Sequence, residues 1–122
     1  MRKAQRGFTV IELAIVAALV ALLATVAVAI FTDVAAGARI AKAQADVRSL
    51  ATGVYAYATQ AGVLPSSLEE LTAVTTDAGG RPLGPFIVMP GAPRGWTPYR
   101  YSRTGDVFTI AATGDGVTVS AP

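Results

Sequence analysis

The chain of 122 residues contains no cysteine and no histidine. Without cysteine there are no disulfides and no thiolate chemistry, and without either residue there is no zinc site built on them. The missing histidine also excludes a Ser-His-Asp triad. The sequence shows no other nucleophile–base pair, no paired catalytic acids and no Gly-rich phosphate loop with a lysine. We therefore expect a protein that is not an enzyme.

Charge is also scarce, at 15% of residues, with ten basic and eight acidic side chains. Three of the basic residues, Arg2, Lys3 and Arg6, lie within the first seven positions. The remaining chain therefore has seven basic and eight acidic side chains. Because phosphate binding needs a concentrated positive surface, nucleic-acid binding has no electrostatic support.

A long apolar run follows the basic residues, and Glu12 is the one charged residue among the 24 residues from Phe8 to Phe31. As a helix this run spans ~36 Å, enough to cross a hydrocarbon core of ~30 Å. It is also longer than the apolar region of about 7–15 residues in a cleaved secretory signal. The basic flank predicts a single-pass membrane protein with a cytoplasmic N-terminus and its remaining domain outside.

Glu12 is costly in such a helix, because a carboxylate deep in lipid costs a few kcal/mol. Two interpretations of this residue stay open at this point. The side chain can reach the headgroup region, since Glu12 lies near one end of the run. Alternatively, it is a functional group that pairs with a positive charge.

Beyond Phe31 the helical pattern continues as an amphipathic segment to Ala61, with Gly62 as the helix stop and Pro65 shortly after it. Apolar residues recur there at spacings of three and four, which indicates a buried stripe. We expect it to pack on the chain's own sheet rather than in a coiled coil. The stripe consists of Ile40, Ala43, Val47, Leu50, Val54, Tyr57 and Ala61.

The last segment predicts a short helix, a loop over residues 72–84 and three or four strands. Ser66 and Glu69 form a capping-box pattern for the short helix. The fold class is thus α+β, a long N-terminal helix packed on a small antiparallel sheet. The regions are a leader (1–7), a membrane or filament-core helix (8–31), its amphipathic half (32–61) and a globular part (62–122). The predicted strands are Phe86–Met89, Tyr99–Ser102, Val107–Ala111 and Val117–Val119.

Three aromatic residues, Trp96, Tyr99 and Tyr101, fall close together in this last segment. They could stack on a ligand, but the aromatic core of a small sheet is the simpler interpretation. We expect core packing.

The stretch Gly7-Phe8-Thr9-Val10-Ile11-Glu12-Leu13 resembles the class III signal of type IV pilins and type II secretion pseudopilins. The resemblance implies a pilin-like fold, cleavage after Gly7 by a prepilin peptidase, N-methylation of Phe8 and a role for Glu12 in filament assembly. It also implies these partners: copies of the same chain, the peptidase, inner-membrane lipid, an inner-membrane assembly platform and minor pseudopilins. After assembly the subunit would lie in a periplasmic or extracellular filament.

One position departs from the family pattern. Many members carry proline where this chain has Ala29, so local melting of the helix there is not predicted. Gly37 is the next weak point, with a cost of ~1 kcal/mol relative to alanine, and we place any flexible segment there.

The C-terminal half resembles the major, G-type pseudopilin in the layout Pro…Pro-x-Gly-Trp…Tyr-x-Tyr…Gly-Asp-Gly. That resemblance implies a calcium ion in a C-terminal acidic loop. Here Asp115 stands alone, whereas calcium needs about six or more oxygen ligands. We therefore expect no cofactor, with Asp115 as the single candidate calcium ligand.

The expected function is the major pseudopilin of a type II secretion system, which drives protein export. Two alternatives remain. The first is a type IV pilin of a surface filament for adhesion, motility or DNA uptake. The second is a periplasmic binding domain on an uncleaved signal anchor that never polymerises.

Overall fold

The computed structural model describes residues 6–122, so residues 1–5 of the predicted leader lie outside the described part of the chain. One long helix, α1, runs over Val10–Ala61 and is 52 residues long. The remaining elements are α2 (Glu69–Thr72), β1 (Thr75–Thr76), β2 (Pro82–Leu83), β3 (Arg100–Thr104), β4 (Val107–Gly114) and β5 (Val117–Ala121).

The part of the chain through Ala35 forms one compact unit, and its side chains are exposed as far as residue 34. Two hydroxyl groups in the apolar part of this helix are satisfied within the helix itself. The hydroxyl groups of Thr25 and Thr32 donate to the backbone carbonyls of Leu22 and Ala29, at 2.7 and 2.8 Å. This is what a lipid environment requires, because it offers no water to a polar group. By length and composition, α1 is the one helix within residues 6–122 that could cross a membrane.

The second unit, Ala36–Pro122, contains the rest of α1 and the sheets. The amphipathic stripe faces its core, as predicted. α1 ends as expected as well: Gly62 has φ of 77° and donates its N–H to the carbonyl of Ala58 at 2.8 Å. Glycine suits this position because it adopts the left-handed conformation without strain. The buried stripe residues are Ala43, Val47, Leu50, Val54 and Tyr57, and Ile40 and Ala61 are half-buried.

A three-stranded antiparallel sheet with the order β3-β4-β5 covers this stripe. Ile110 of the central strand pairs with Tyr101 on one side and Ala121 on the other. Alternate residues of β4, Phe108, Ile110 and Ala112, are buried, which is the two-residue period of a half-buried strand. The α+β class with a long helix and a small antiparallel sheet is confirmed, and three of the predicted strands are present in slightly longer form.

The core is closed by fully buried aliphatic side chains from three elements. Leu50, Leu71 and Ile110, from α1, α2 and β4, each have no exposed surface. Burying such a side chain contributes about 2 kcal/mol, so the sheet, α2 and the helix depend on one another for stability.

The predicted strand Phe86–Met89 is wrong. These residues pair with no strand; instead, the backbone N–H groups of Phe86 and Ile87 both donate to the carbonyl of Leu71, at 2.8 and 3.2 Å. The Phe86 ring packs edge-on against Tyr57, with 5.7 Å between ring centroids. Phe86 and Ile87 are thus half-buried in a loop against the end of α2, while Val88 is 88% exposed. Tertiary contacts override the strand propensity of this run.

The predicted capping box of Ser66 and Glu69 is also wrong. α2 begins only at Glu69, so Glu69 does not occupy the third helical position that a capping box needs. The N–H of Ser66 donates instead to the carboxylate of Glu70, at 3.0 Å. The segment before α2 is held from the sheet, where the Tyr101 hydroxyl donates to the carbonyl of Pro65 at 2.9 Å.

The predicted loop 72–84 contains a two-stranded antiparallel pair, with Thr75 opposite Leu83 and Thr76 opposite Pro82. The turn between these short strands is organised by Asp77. Its Oδ1 accepts the N–H groups of Gly79 and Arg81, at 2.8 and 2.9 Å. These hydrogen bonds lower the pKa of Asp77 below its usual value. The two strands have only two residues each, too few to show the alternation of apolar and polar residues from which a strand is predicted.

Gly114 provides a test of packing at the end of β4. A Cβ atom there would lie 2.3 Å from the Trp96 indole ring, so Gly114→Ala forces the ring to move. We expect a loss of about 1–3 kcal/mol in the free energy of unfolding. Gly53→Ala is the matched control, because its Cβ would meet Ile87 at an ordinary 3.4 Å. Alanine in a helix interior gains up to ~1 kcal/mol over glycine, so this variant should be neutral or stabilised. Urea unfolding followed by fluorescence of Trp96 measures both, and equal costs would contradict the packing account.

Candidate functional site

The Gly7–Phe8 peptide bond lies just before α1, in a non-helical stretch that extends to Thr9. Arg6 and Gly7 are exposed, and the Phe8 side chain is 89% exposed. A peptidase needs an accessible backbone outside a helix, and residues 6–9 are exposed and non-helical. The predicted processing residues thus lie where cleavage is sterically possible.

Thr9 and Glu12 form a reciprocal capping box at the start of α1. The N–H of Thr9 donates to Oε2 of Glu12 at 3.0 Å, and the N–H of Glu12 donates to Oγ1 of Thr9 at 3.2 Å. The N–H of Leu13 donates to the carbonyl of Thr9 at 3.1 Å. Because four N–H groups at a helix start lack partners within the helix, this arrangement fixes the helix start at Thr9.

The capping box gives Glu12 a local role before any assembly. Its carboxylate lies at the N-terminal end of the helix and accepts a backbone hydrogen bond there. The role of Thr9 as the partner of Glu12 was not predicted from the sequence. The Thr-x-x-Glu spacing is a readable signal for it.

Asp115, the candidate calcium ligand, is held by three donors. Arg39 of α1 donates from Nε to Oδ2 at 2.8 Å and from Nη2 to Oδ1 at 2.7 Å. The indole Nε1–H of Trp96 donates to Oδ2 at 2.8 Å. The hydrogen bonds from Arg39 and Trp96 lower the pKa of Asp115 from 3.8 to about 2.

This arrangement does not fit calcium. The three donors contact both carboxylate oxygens of Asp115, and no three acidic side chains come together anywhere in residues 6–122. Calcium needs six to eight oxygen ligands at about 2.3–2.6 Å, and a guanidinium beside the carboxylate repels it. The expected absence of a cofactor stays a prediction.

The aromatic residues belong to the core rather than to a ligand surface. Trp96 is 8% exposed, and Tyr99 and Tyr101 are half-buried against the core cluster. The ring of Tyr101 stacks on Phe108, with 6.0 Å between centroids. The core interpretation of the three residues is confirmed.

Asp46 of α1 organises a second polar contact beside the aromatic residues. It accepts hydrogen bonds from the Tyr99 hydroxyl and from Nζ of Lys42, and Lys42 also donates to the carbonyl of Gly91 at 2.7 Å. Burial and the negative charge of Asp46 raise the pKa of the Tyr99 hydroxyl. These contacts hold the loop before β3 on α1, and we assign them a structural role.

A family model described as the prokaryotic N-terminal methylation motif matches residues 2–32. The chain has the N-terminal signal of type IV pilins and pseudopilins. The match covers the basic leader residues from Arg2, the cleavage position and the apolar half of α1. No curated protein and no solved structure matches this pilin-like chain.

The methylation motif implies processing by a prepilin peptidase and polymerisation into filaments. It belongs to structural subunits of the pilin type rather than to an enzyme family. Together with the apolar helix it indicates a membrane-anchored precursor. The individual roles of Gly7, Phe8 and Glu12 stay predictions of the sequence.

The lowered pKa of Asp115 predicts an acid dependence of stability for the pilin-like chain. A group whose pKa is depressed by folding stabilises the folded state above its unfolded pKa, and this contribution is lost as the pH falls. For Asp115 the window runs from about pH 4 down to about pH 2. The urea midpoint of the wild type, followed by Trp96 fluorescence, should fall over this range. Asp115→Asn should have a lower urea midpoint than the wild type at about pH 4, and its midpoint should fall less as the pH is lowered to about 2. Parallel pH curves for the two proteins would show that Asp115 does not cause the acid dependence.

Proposed function

We propose that this chain is the major pseudopilin of a type II secretion system, a filament subunit that is cleaved between Gly7 and Phe8. The observation that carries the proposal is the position of Glu12. This single charge of the apolar run lies at the capped start of α1, directly after an exposed cleavage position. A subunit that stayed alone in the membrane would retain that charge in an unfavourable place.

Cleavage before Phe8 would supply the missing counter-charge. The new α-amino group has a pKa near 8 and is a cation at neutral pH, with or without one methyl group. Thr9, the next residue, already donates its N–H to Glu12 at 3.0 Å. The new ammonium group on Phe8 therefore lies one residue before Thr9, whose N–H contacts the Glu12 carboxylate. In a filament, the Phe8 ammonium of one subunit can pair with Glu12 of its neighbour, which favours addition of subunits.

Close packing between copies of α1 is the second contribution to assembly. Within the unit through Ala35, Ile11, Leu13 and Leu23 are 65–69% exposed. Alanines between them let helices approach closely. A bundle of such helices would form an apolar filament core, with the sheet domains outside. Contacts that repeat without closing produce a helical filament rather than a ring.

The C-terminal half favours a pseudopilin over a surface pilin. It combines the layout similar to the G-type pseudopilin with a small sheet of three strands and no cysteine pair. The methylation motif is shared with surface pilins, so the pilin of a surface filament is the second candidate.

Gene deletion with complementation tests the proposal. Deletion should abolish export of secreted proteins and leave surface filaments intact, and the wild-type chain should restore export. Glu12→Gln should insert in the membrane at the wild-type level but fail to restore export. Glutamine removes the cost that the unassembled subunit bears, and every 1.4 kcal/mol of lost driving force lowers an association constant about tenfold.

Asp33→Asn is the matched control, because Asp33 is an exposed acid of α1 beyond the apolar run. This variant should export normally. Loss of surface filaments with normal export would instead identify a surface pilin. Wild-type export by Glu12→Gln would show that the charge does not drive assembly.

A further inference from the structure

The turn between β4 and β5 joins three separate parts of the second unit. Asp115 and Gly116 form its centre, with φ of 49° and 73°. An Asp-Gly pair with both residues left-handed suits a tight two-residue hairpin turn. The turn conformation is therefore local, and the Asp115 side chain is available for contacts elsewhere.

Those contacts are made with positions distant in the sequence. Arg39 lies 76 residues before Asp115, and Trp96 lies 19 residues before it. Trp96 also packs on Gly114, where no Cβ atom would fit. One carboxylate thus connects α1, the loop before β3 and the β4–β5 turn.

We infer that the Arg39 guanidinium is a built-in cation for this turn, so that the second unit folds and keeps its stability without calcium. The planar guanidinium contacts both carboxylate oxygens and needs no other partner, whereas calcium needs six to eight oxygen ligands, more than one carboxylate supplies. The hydroxyl groups of Thr113 and Thr118, on the two strands beside the turn, hydrogen-bond to each other at 2.9 Å. A divalent cation beside Arg39 would also be repelled.

The inference does not rest on filament assembly, so its test uses thermal unfolding of the full chain in detergent micelles. Trp96 is the single tryptophan, and its indole N–H contacts Asp115, so its fluorescence reports on this site directly. The Tm of the wild type in calcium chloride and in EDTA should agree within about 1 °C, because a ligand raises Tm only if it binds the folded state.

Arg39→Gln should lower Tm by about 3 °C or more in both solutions and shift the Trp96 emission, since Asp115 loses its charged partner. Arg39→Lys keeps the positive charge but loses the bidentate contact, so its Tm should lie between those of the wild type and Arg39→Gln. Arg48→Gln, at an exposed position of the same helix, is the matched control and should unfold like the wild type.

Two results would overturn the inference. The first is a wild-type Tm that rises by about 5 °C or more with calcium, which would indicate a calcium site in the folded state. The second is an Arg39→Gln protein with wild-type Tm and emission, which would show that Arg39 does not hold the turn.

Discussion

The N-terminal half of this protein depends on one constraint, a carboxylate placed in an apolar helix that offers it little solvation. Glu12 is charged among 24 residues that are otherwise uncharged. A capping box at the helix start gives this carboxylate a hydrogen-bond partner, the N–H of Thr9. Glu12 also lies at the N-terminal end of the helix, where the dipole attracts negative charge. In the filament that we propose, an ammonium group on Phe8 stabilises the charge further.

The same helix meets two different environments along its length. From Val10 to residue 34 its side chains are exposed, and the hydroxyls of Thr25 and Thr32 hydrogen-bond within the helix. From Ala43 onward one face is buried under a sheet. The sheet is small, so part of its attachment is electrostatic: Arg39 and Asp115 connect helix and turn. One element can thus serve as a membrane anchor and as half of a folded core.

Local patterns predicted the elements that local forces determine. The buried stripe and the strands β3, β4 and β5 follow from periodicity and strand propensity, and the helix end follows from the glycine at position 62. Tertiary contacts decided the rest: Phe86 and Ile87 hydrogen-bond to the end of α2 rather than to a strand, and the predicted capping box at Ser66 does not form because α2 begins later. The pair of Arg39 and Asp115 was not predictable, since 76 residues separate them. The Thr-x-x-Glu spacing of Thr9 and Glu12 is a capping-box pattern, so this cap could have been predicted from the sequence but was not.

The most direct test of the central claim is mass spectrometry of the protein isolated from its native membrane. The account requires a free cationic amine beside Glu12, and processing alone can provide it there. We therefore predict a chain that begins at Phe8 and carries one methyl group on its N-terminal nitrogen. A chain that retains residues 1–7 would contradict this proposal, because no Phe8 ammonium group would then exist to pair with Glu12 of a neighbouring subunit.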